Sequence, residues 1–330
     1  MKSVVHLRSE FLTMSVLSRG GIIASLEHLC PGQAPLQLVL APPVNLDSNP
    51  WYFGAFVGPI SNRVSSADFE VEGETYRIPS HPETGTLHGG RFGFSYRDFE
   101  LHELSDSEAL LLLETPHRGD GFPGHRRLAI RYRLDGATLH IDSHLTSDRL
   151  TPVNLTHHAY FNLNGRDSGT VDEHRLQVNS SRHLELRDGL PTGRLIGVNE
   201  QENCDFRDAR TLGAVEHDQC YLVESSCSSS LPHSLTPSLP PSLPAARICG
   251  DRSGLALELT TNAPCLQLFN ASGLGRSGFC LEAQGWLDAL HRLEFPSCLS
   301  RDHRQSSSYR FAMKNLSTCA SRHHDQQARE

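Results

Sequence analysis

The segment Thr151-Pro-Val-Asn-Leu-Thr-His-His-Ala-Tyr-Phe-Asn-Leu-Asn-Gly165 places two adjacent histidines in a stretch with strand character. Successive strand residues face opposite sides, so only one of His157 and His158 looks into a given cleft, and chelation by the pair is disfavoured. His140 and His144 share a strand face, but no acid or cysteine stands at metal-ligand spacing and there is no H-E-x-x-H, so they read as structural or surface residues. Gly58-Pro-Ile-Ser-Asn-Arg63 sets Asn62 beside Arg63, whose fork of donors suits hydroxyls or carboxylates. Thr86-Leu-His-Gly-Gly90 puts His88 before two glycines that let backbone approach a ligand closely. Taken singly, each is as well read as a surface pair or a loop turn. His217-Asp218 opens a strand, and Glu282 follows an apolar run in Phe279-Cys-Leu-Glu-Ala-Gln-Gly-Trp286. An acid there is either a solvated strand end or a site residue.

These residues need a scaffold, and the composition leans toward β. Twenty-six Gly and 19 Pro against 3 Met indicate many turns and few long helices. Residues 69–78 alternate apolar and polar around Gly73, and residues 126–145 alternate on both sides of Asp135-Gly136, which predicts two hairpins. Further strands are predicted at 12–17, 35–41, 96–104, 109–115, 153–162, 174–179, 219–223, 255–260, 265–270 and 278–282. Helical periodicity over three or more turns is absent, so an all-β, mostly antiparallel sandwich or barrel is expected.

Length bounds the chain to one large domain or two ordinary ones. A formal charge of −8 argues against unaided binding to nucleic acid or an anionic membrane. Nine cysteines without a C-x-x-C pair signal neither a disulfide framework nor a zinc ribbon. With no secretory h-region and no stretch of membrane-spanning length, a soluble cytoplasmic protein is expected. Residues 225–246 hold eight Ser and five Pro with Ser-Leu recurring every four residues, a composition that predicts a disordered insertion. The polar tail 314–330 is expected to fray.

Together the ordered motifs N-R, L-H-G-G, T-P-V-N-L-T-x-H-x-Y-F-N-L, P-T-G, H-D and G-F-C-L-E-x-Q strongly resemble those of the aldose 1-epimerases, or galactose mutarotases, from about Leu12 to Ala312. The resemblance implies a β-supersandwich over residues 1–313, interrupted by 225–246. It also implies interconversion of the α and β anomers of a free aldohexose such as galactose or glucose. Carried over by position, Glu282 matches the general base, His158 the general acid, and Arg63, His88 and Asp218 the sugar-binding residues, with Asn62 and Gln284 accompanying them in the motifs. Opening a cyclic hemiacetal needs a base at the anomeric hydroxyl and an acid at the ring oxygen, and calls for no cofactor, metal or covalent intermediate. His158 is then expected to start protonated and Glu282 ionised, with pKa values bracketing the working pH. The implied partner is a small sugar, with no nucleic acid or membrane partner and a monomer as the default. No clear basic cluster argues for a phosphorylated hexose.

The sequence departs from the family pattern in three places. His157 stands where the family usually has Asn, Pro59 where many members carry Arg, and Arg301-Asp-His-Arg-Gln305 where a Pro-Gly turn usually precedes the last strand. Two other readings compete: a catalytically impaired sugar-binding protein of the same fold, and a glycoside hydrolase or carbohydrate-binding module. A hydrolase would use Asp218 and Glu282 as its carboxylate pair, but that leaves the His158 motif unexplained.

Overall fold

Alternation along the strands decides which face is buried. In Arg126–Asp135 the side chains of Leu128, Ile130, Tyr132 and Leu134 are buried, and in the returning strand Thr138–Pro152 so are Leu139, Ile141, Ser143 and Leu145. Asp135 pairs with Thr138 across a two-residue turn whose Gly136 has φ 54°, a conformation glycine adopts without steric cost. The second predicted hairpin is Asp68–Val71 with Glu74–Arg77, turned by Glu72 and Gly73 at φ 51° and 80°.

The computed structural model describes residues 3–223 and 243–313. It is almost all antiparallel β, with only short 3-10 turns at Leu87–Phe92, Phe94–Tyr96 and Ser272–Leu274. A nine-stranded sheet runs in the order Arg210–Thr211, Arg175–Val178, Ala246–Cys249, Leu255–Thr261, Leu299–Met313, Thr138–Pro152, Arg126–Asp135, Glu108–Thr115, Glu100–Ser105. A five-stranded sheet runs Leu190–Gly197, Arg182–Arg187, Asp218–Leu222, Cys265–Phe269, Cys280–Gln284. A four-stranded sheet (Val4–Arg8, Leu12–Leu17, Ile23–His28, Leu36–Gln37) and a short pair, Thr156–His158 with Ala55–Val57, complete the frame around the site.

One apolar cluster joins Leu12 and Met14, Ile130 and Tyr132, Leu257 and Phe311, and Tyr221, Leu266, Leu268 and Leu281 of the five-stranded sheet. The latter sheet therefore has two characters. Tyr221, Leu266, Leu268, Leu281 and Ala283 face the core. By register, Asp218, Cys220, Gln267, Phe269, Cys280, Glu282 and Gln284 lie on the opposite face. Tyr309 and Gln305 of the nine-stranded sheet brace the Glu282 strand from behind, donating to the carbonyls of Leu281 (3.2 Å) and Ala283 (2.9 Å).

The long strand Leu299–Met313 is absent from the strands predicted by pattern. Its inward positions include Gln305 and Ser307, so it lacks the apolar alternation that marks its neighbours. The stretch Arg301–Gln305 lies within this strand, and Asp302 and Gln305 pair with Thr146 and Ser143. The strand thus docks without the family's turn. Most of the Ser/Pro-rich stretch, and the tail 314–330, lie outside the described residues. Its C-terminal edge belongs to the fold, a correction to the boundary that composition suggests. Ala245 and Ala246 are buried, Ala246 pairs with Val178 and Leu259, and Asn179 bonds to the carbonyls of Pro244 (2.6 Å) and Ala245 (2.9 Å). Among the described residues no helix is long and apolar enough to cross a membrane.

Candidate active site

Glu282 sits mid-strand in Cys280–Gln284, opposite Gln267, and is 2% exposed. His158 ends the short strand Thr156–His158, opposite Ala55. The two strands bring His158 Nε2 to 3.6 Å from Glu282 Oε1. Rings crowd the imidazole: Tyr160 at 4.9 Å between centroids, His88 at 5.3 Å, Tyr52 at 6.1 Å and Phe269 at 6.3 Å. Cys280 Sγ stands 3.5 Å from Nδ1. As adjacent strand residues must, His157 faces away, edge-on to Tyr132 at 5.9 Å, into a small cavity shared with Ser143, Ala283 and Gln305.

Burial sets the protonation of the pair. Loss of water, and then the Asp218 charge, push the Glu282 carboxyl well above its usual range, although Arg63 opposes the shift. Loss of water pulls His158 down from 6.5 to about 4. Both shifts favour a neutral pair, the reverse of the ionised glutamate and protonated histidine expected from sequence. The reason is desolvation: burial penalises each charge, and Arg63 is what opposes it at Glu282.

His88 is held by backbone. It takes φ 56°, and Gly89 and Gly90 follow at 87° and 69°. A Cβ on Gly90 would come within 2.2 Å of the Pro79 carbonyl oxygen, and one on Gly89 within 2.7 Å of that of Gly58. The glycines are therefore required by close packing of the chain on itself, not by the approach of a ligand. Asn62 N–H donates to His88 Nδ1 at 3.1 Å, so the neutral ring carries its proton on Nε2, which can donate to a sugar oxygen. Burial, followed by repulsion from His158 and Arg63, keeps this ring neutral.

Arg63 and Asp218 are more exposed than the acid–base pair, with side chains 41% and 26% accessible, and join at 3.1 Å. Such a pair contributes little to stability, so its value lies in orientation. Gly189 makes room for the arginine, since a Cβ there would stand 3.0 Å from its Cδ and Nε. Gln267 Nε2 donates to the other Asp218 oxygen at 2.6 Å. Asn62 and Gln284 act mainly as braces. Asn62 Oδ1 accepts from Arg63 N–H at 2.8 Å. Gln284 Oε1 accepts from Ser61 Oγ at 3.2 Å, while its Nε2 points to Cys220 Sγ at 3.8 Å. Asn154 of the T-P-V-N motif clamps the far end of the same strand, accepting from Gly285 N–H (2.7 Å) and donating to the Trp286 carbonyl (3.1 Å).

Sequence reasoning missed Tyr52, Tyr160, Gln267, Phe269 and Cys280. Tyr160 and Cys280 were open to alternation, standing two residues from His158 and Glu282 on the same faces. Gln267 becomes visible only through its register with Glu282, and Tyr52 through a left-handed backbone at φ 56° whose hydroxyl is anchored on Thr84 Oγ1 at 2.8 Å. Among the described residues, His158, Cys280 and Glu282 form the one group that could hold a metal ion.

Residues 3–311 match the family model for aldose 1-epimerase. The chain is 30% identical to galactose mutarotases of Rattus norvegicus and Homo sapiens, over 90% of its length and 89% of theirs. It is 28% identical to an aldose 1-epimerase of Escherichia coli over 78% of each. In structure it resembles a GalM/aldose epimerase homologue from C. elegans, with a TM-score of 0.84 at 23% identity over 96% of this chain and all of that one. It also resembles a galactose 1-epimerase from Lactobacillus acidophilus, with a TM-score of 0.76 at 20% identity over 95% of each. With the motifs gathered around one buried carboxyl–imidazole pair and the match running nearly end to end, the chain belongs to the aldose 1-epimerase family.

Proposed function

We infer that the protein is a mutarotase that exchanges the α and β anomers of a free aldohexose, galactose first, with Glu282 and His158 as the acid–base pair. The observation that carries this reading is the 3.6 Å approach of the buried Glu282 Oε1 to His158 Nε2, with the more exposed Arg63–Asp218 pair close enough to act on the Glu282 charge. Glu282 accepts the proton of the anomeric hydroxyl while His158 gives one to the ring oxygen; the C1–O5 bond breaks and the open aldehyde forms. Rotation about C1–C2 presents the other carbonyl face, and the two groups act in reverse. Neither group is consumed, and each contributes on the order of 10²–10⁴-fold to the rate.

The neutral resting pair is compatible with this chemistry. A protonated Glu282 with a neutral His158 holds one proton, as does an ionised Glu282 with an imidazolium. Sugar hydroxyls entering the pocket supply the polar partners that the charged form lacks, and the proton passes from carboxyl to imidazole without exchange with bulk solvent. His88 Nε2–H, Arg63 and Asp218 hold the hydroxyls so that the ring oxygen meets His158, and such positioning is itself catalytic.

The hydrolase reading is weaker, because Asp218 is bound to Arg63 and Gln267 and so is not poised as a second acid–base group. The impaired sugar-binding alternative is not favoured, since every proposed site residue is present and those carrying the chemistry converge. The largest apolar cluster, which draws on the four-, five- and nine-stranded sheets together, supports one domain over residues 1–313. A cytoplasmic monomer that binds only small sugars remains part of the proposal, on the acidic balance and absence of a basic cluster. Anomer exchange of D-galactose, followed by polarimetry on freshly dissolved sugar, tests the assignment; a rate equal to that of buffer alone would refute it.

A further inference from the structure

We propose that His158, Cys280 and Glu282 also form a binding site for a soft divalent cation, of which Zn²⁺ is the type, and that its occupancy switches the acid–base pair off. The inhibitory consequence rests on the mutarotase reading; the ligand set stands on geometry alone. Cys280 and Glu282 project from the same face of one strand, and His158 projects beside them from the next. One donor atom from each lies within 4.8 Å of the other two. The shortest approaches are made through different imidazole nitrogens, 3.6 Å from Glu282 Oε1 to His158 Nε2 and 3.5 Å from Cys280 Sγ to His158 Nδ1, so either nitrogen supplies one short edge and the other edges lie within the 4.8 Å limit. Zinc bonds of about 2.0–2.3 Å to these donors require edges of roughly 3.3–3.6 Å, so a closure of about 1 Å completes the site through one imidazole nitrogen.

Burial supplies an independent observation. Glu282 Oε2 is shielded from solvent and has no hydrogen-bond partner, leaving an acceptor that a cation would satisfy. A sulfur, a nitrogen and a carboxylate oxygen select Zn²⁺ over Mg²⁺ or Ca²⁺, which prefer oxygen alone. Binding releases the Cys280 thiol proton and the Glu282 carboxyl proton to solvent, forms sulfur–metal and oxygen–metal bonds and involves no redox step. Three protein ligands leave the fourth position facing the place where the anomeric oxygen must meet Glu282, so cation and sugar compete.

Calorimetry with Zn²⁺ and the sulfur-to-metal charge-transfer band of Co²⁺, both on the full chain, read binding without reference to turnover. Expected are a charge-transfer band that D-galactose displaces, and inhibition of anomer exchange by Zn²⁺ that EDTA reverses. Cys280→Ser weakens cation affinity about 10-fold or more. Its inhibition constant, measured against its own uninhibited rate, moves by the same factor. Glu282→Gln also weakens the binding isotherm. Cys30→Ser, which removes the thiol 3.4 Å from His28 Nδ1, leaves the sugar-displaceable band in place. A band of unchanged strength in Cys280→Ser, or one that galactose does not displace, overturns the proposal; the displacement arm needs no variant to fold. Should the wild type bind Co²⁺ as described yet exchange no anomers, the metal site stands and the mutarotase reading fails. Anomer exchange that proceeds undiminished in saturating Zn²⁺ overturns the switch and leaves the mutarotase reading standing.

Discussion

His157 and His158 are neighbours in one three-residue strand, both buried and both pulled to low pKa by burial, to about 3 and about 4. They differ in what they face. His158 meets a carboxyl at 3.6 Å beneath the more exposed Arg63–Asp218 pair, whereas His157 looks into a small cavity behind the strand, where its Nε2 has no hydrogen-bond partner. Burial and a shifted pKa are therefore common to a site residue and a structural one. What sets His158 apart is the carboxyl across the gap and the more exposed Arg63–Asp218 pair, and on these its proposed role rests.

The largest effects should break this asymmetry at Glu282 and His158. Glu282→Gln removes the proposed base and His158→Asn the proposed acid, and each should lower kcat by about 10²–10⁴-fold with native circular dichroism retained. Next come the groups that orient the sugar: Asp218→Asn and Arg63→Ala should each cost about 10- to 100-fold in kcat/KM, since each removes hydrogen bonds to charged groups. In contrast, His157→Asn should leave kcat within about twofold and cost about 1–2 kcal/mol in stability through lost packing on Tyr132. Urea denaturation beside the exchange assay separates the two.

The pair also fixes a pH profile. Its working state holds one proton; acid adds a second as pH falls through the His158 value of about 4, and base removes the first as pH rises through the raised Glu282 value. The acid limb of kcat/KM should accordingly lie near 4, not near the ordinary histidine value of 6.5. A limb at 6.5 would mean that the free site is wetter around His158 than its packing indicates.

The smallest effect concerns the Ser/Pro-rich stretch. Deleting 225–242 should leave the melting temperature unchanged. Deleting 225–246 should cost about 3 kcal/mol, because it takes Ala245 and Ala246 from the core together with their ladder and Asn179 bonds.

Much of this molecule is legible in its residues because the informative signals are local. The hairpin at 126–145 is written in alternation and an Asp-Gly turn, and the ordered motifs name the family. Where the sequence misleads, the cause is long-range. Leu299–Met313 hides a central strand behind inward-facing Gln305 and Ser307: Gln305 braces the Glu282 strand, Ser307 bonds to Thr261, and both line the cavity behind that strand. Gln284 reads as a site residue by company, and its contacts with Ser61 and Cys220 emerge only from the fold. The charge states expected for Glu282 and His158 follow from the chemistry of the step and omit the desolvation that burial imposes on both groups, which no local pattern records.

The most direct test is NMR exchange spectroscopy on the α and β anomeric protons of D-galactose with wild type, Glu282→Gln, His158→Asn and His157→Asn at equal concentration. Enhanced exchange in the wild type and His157→Asn, with loss of at least about 10²-fold in the other two, is the expected result. Exchange that survives in both Glu282→Gln and His158→Asn, or that is lost equally in His157→Asn, would contradict the assignment of chemistry to one face of this strand.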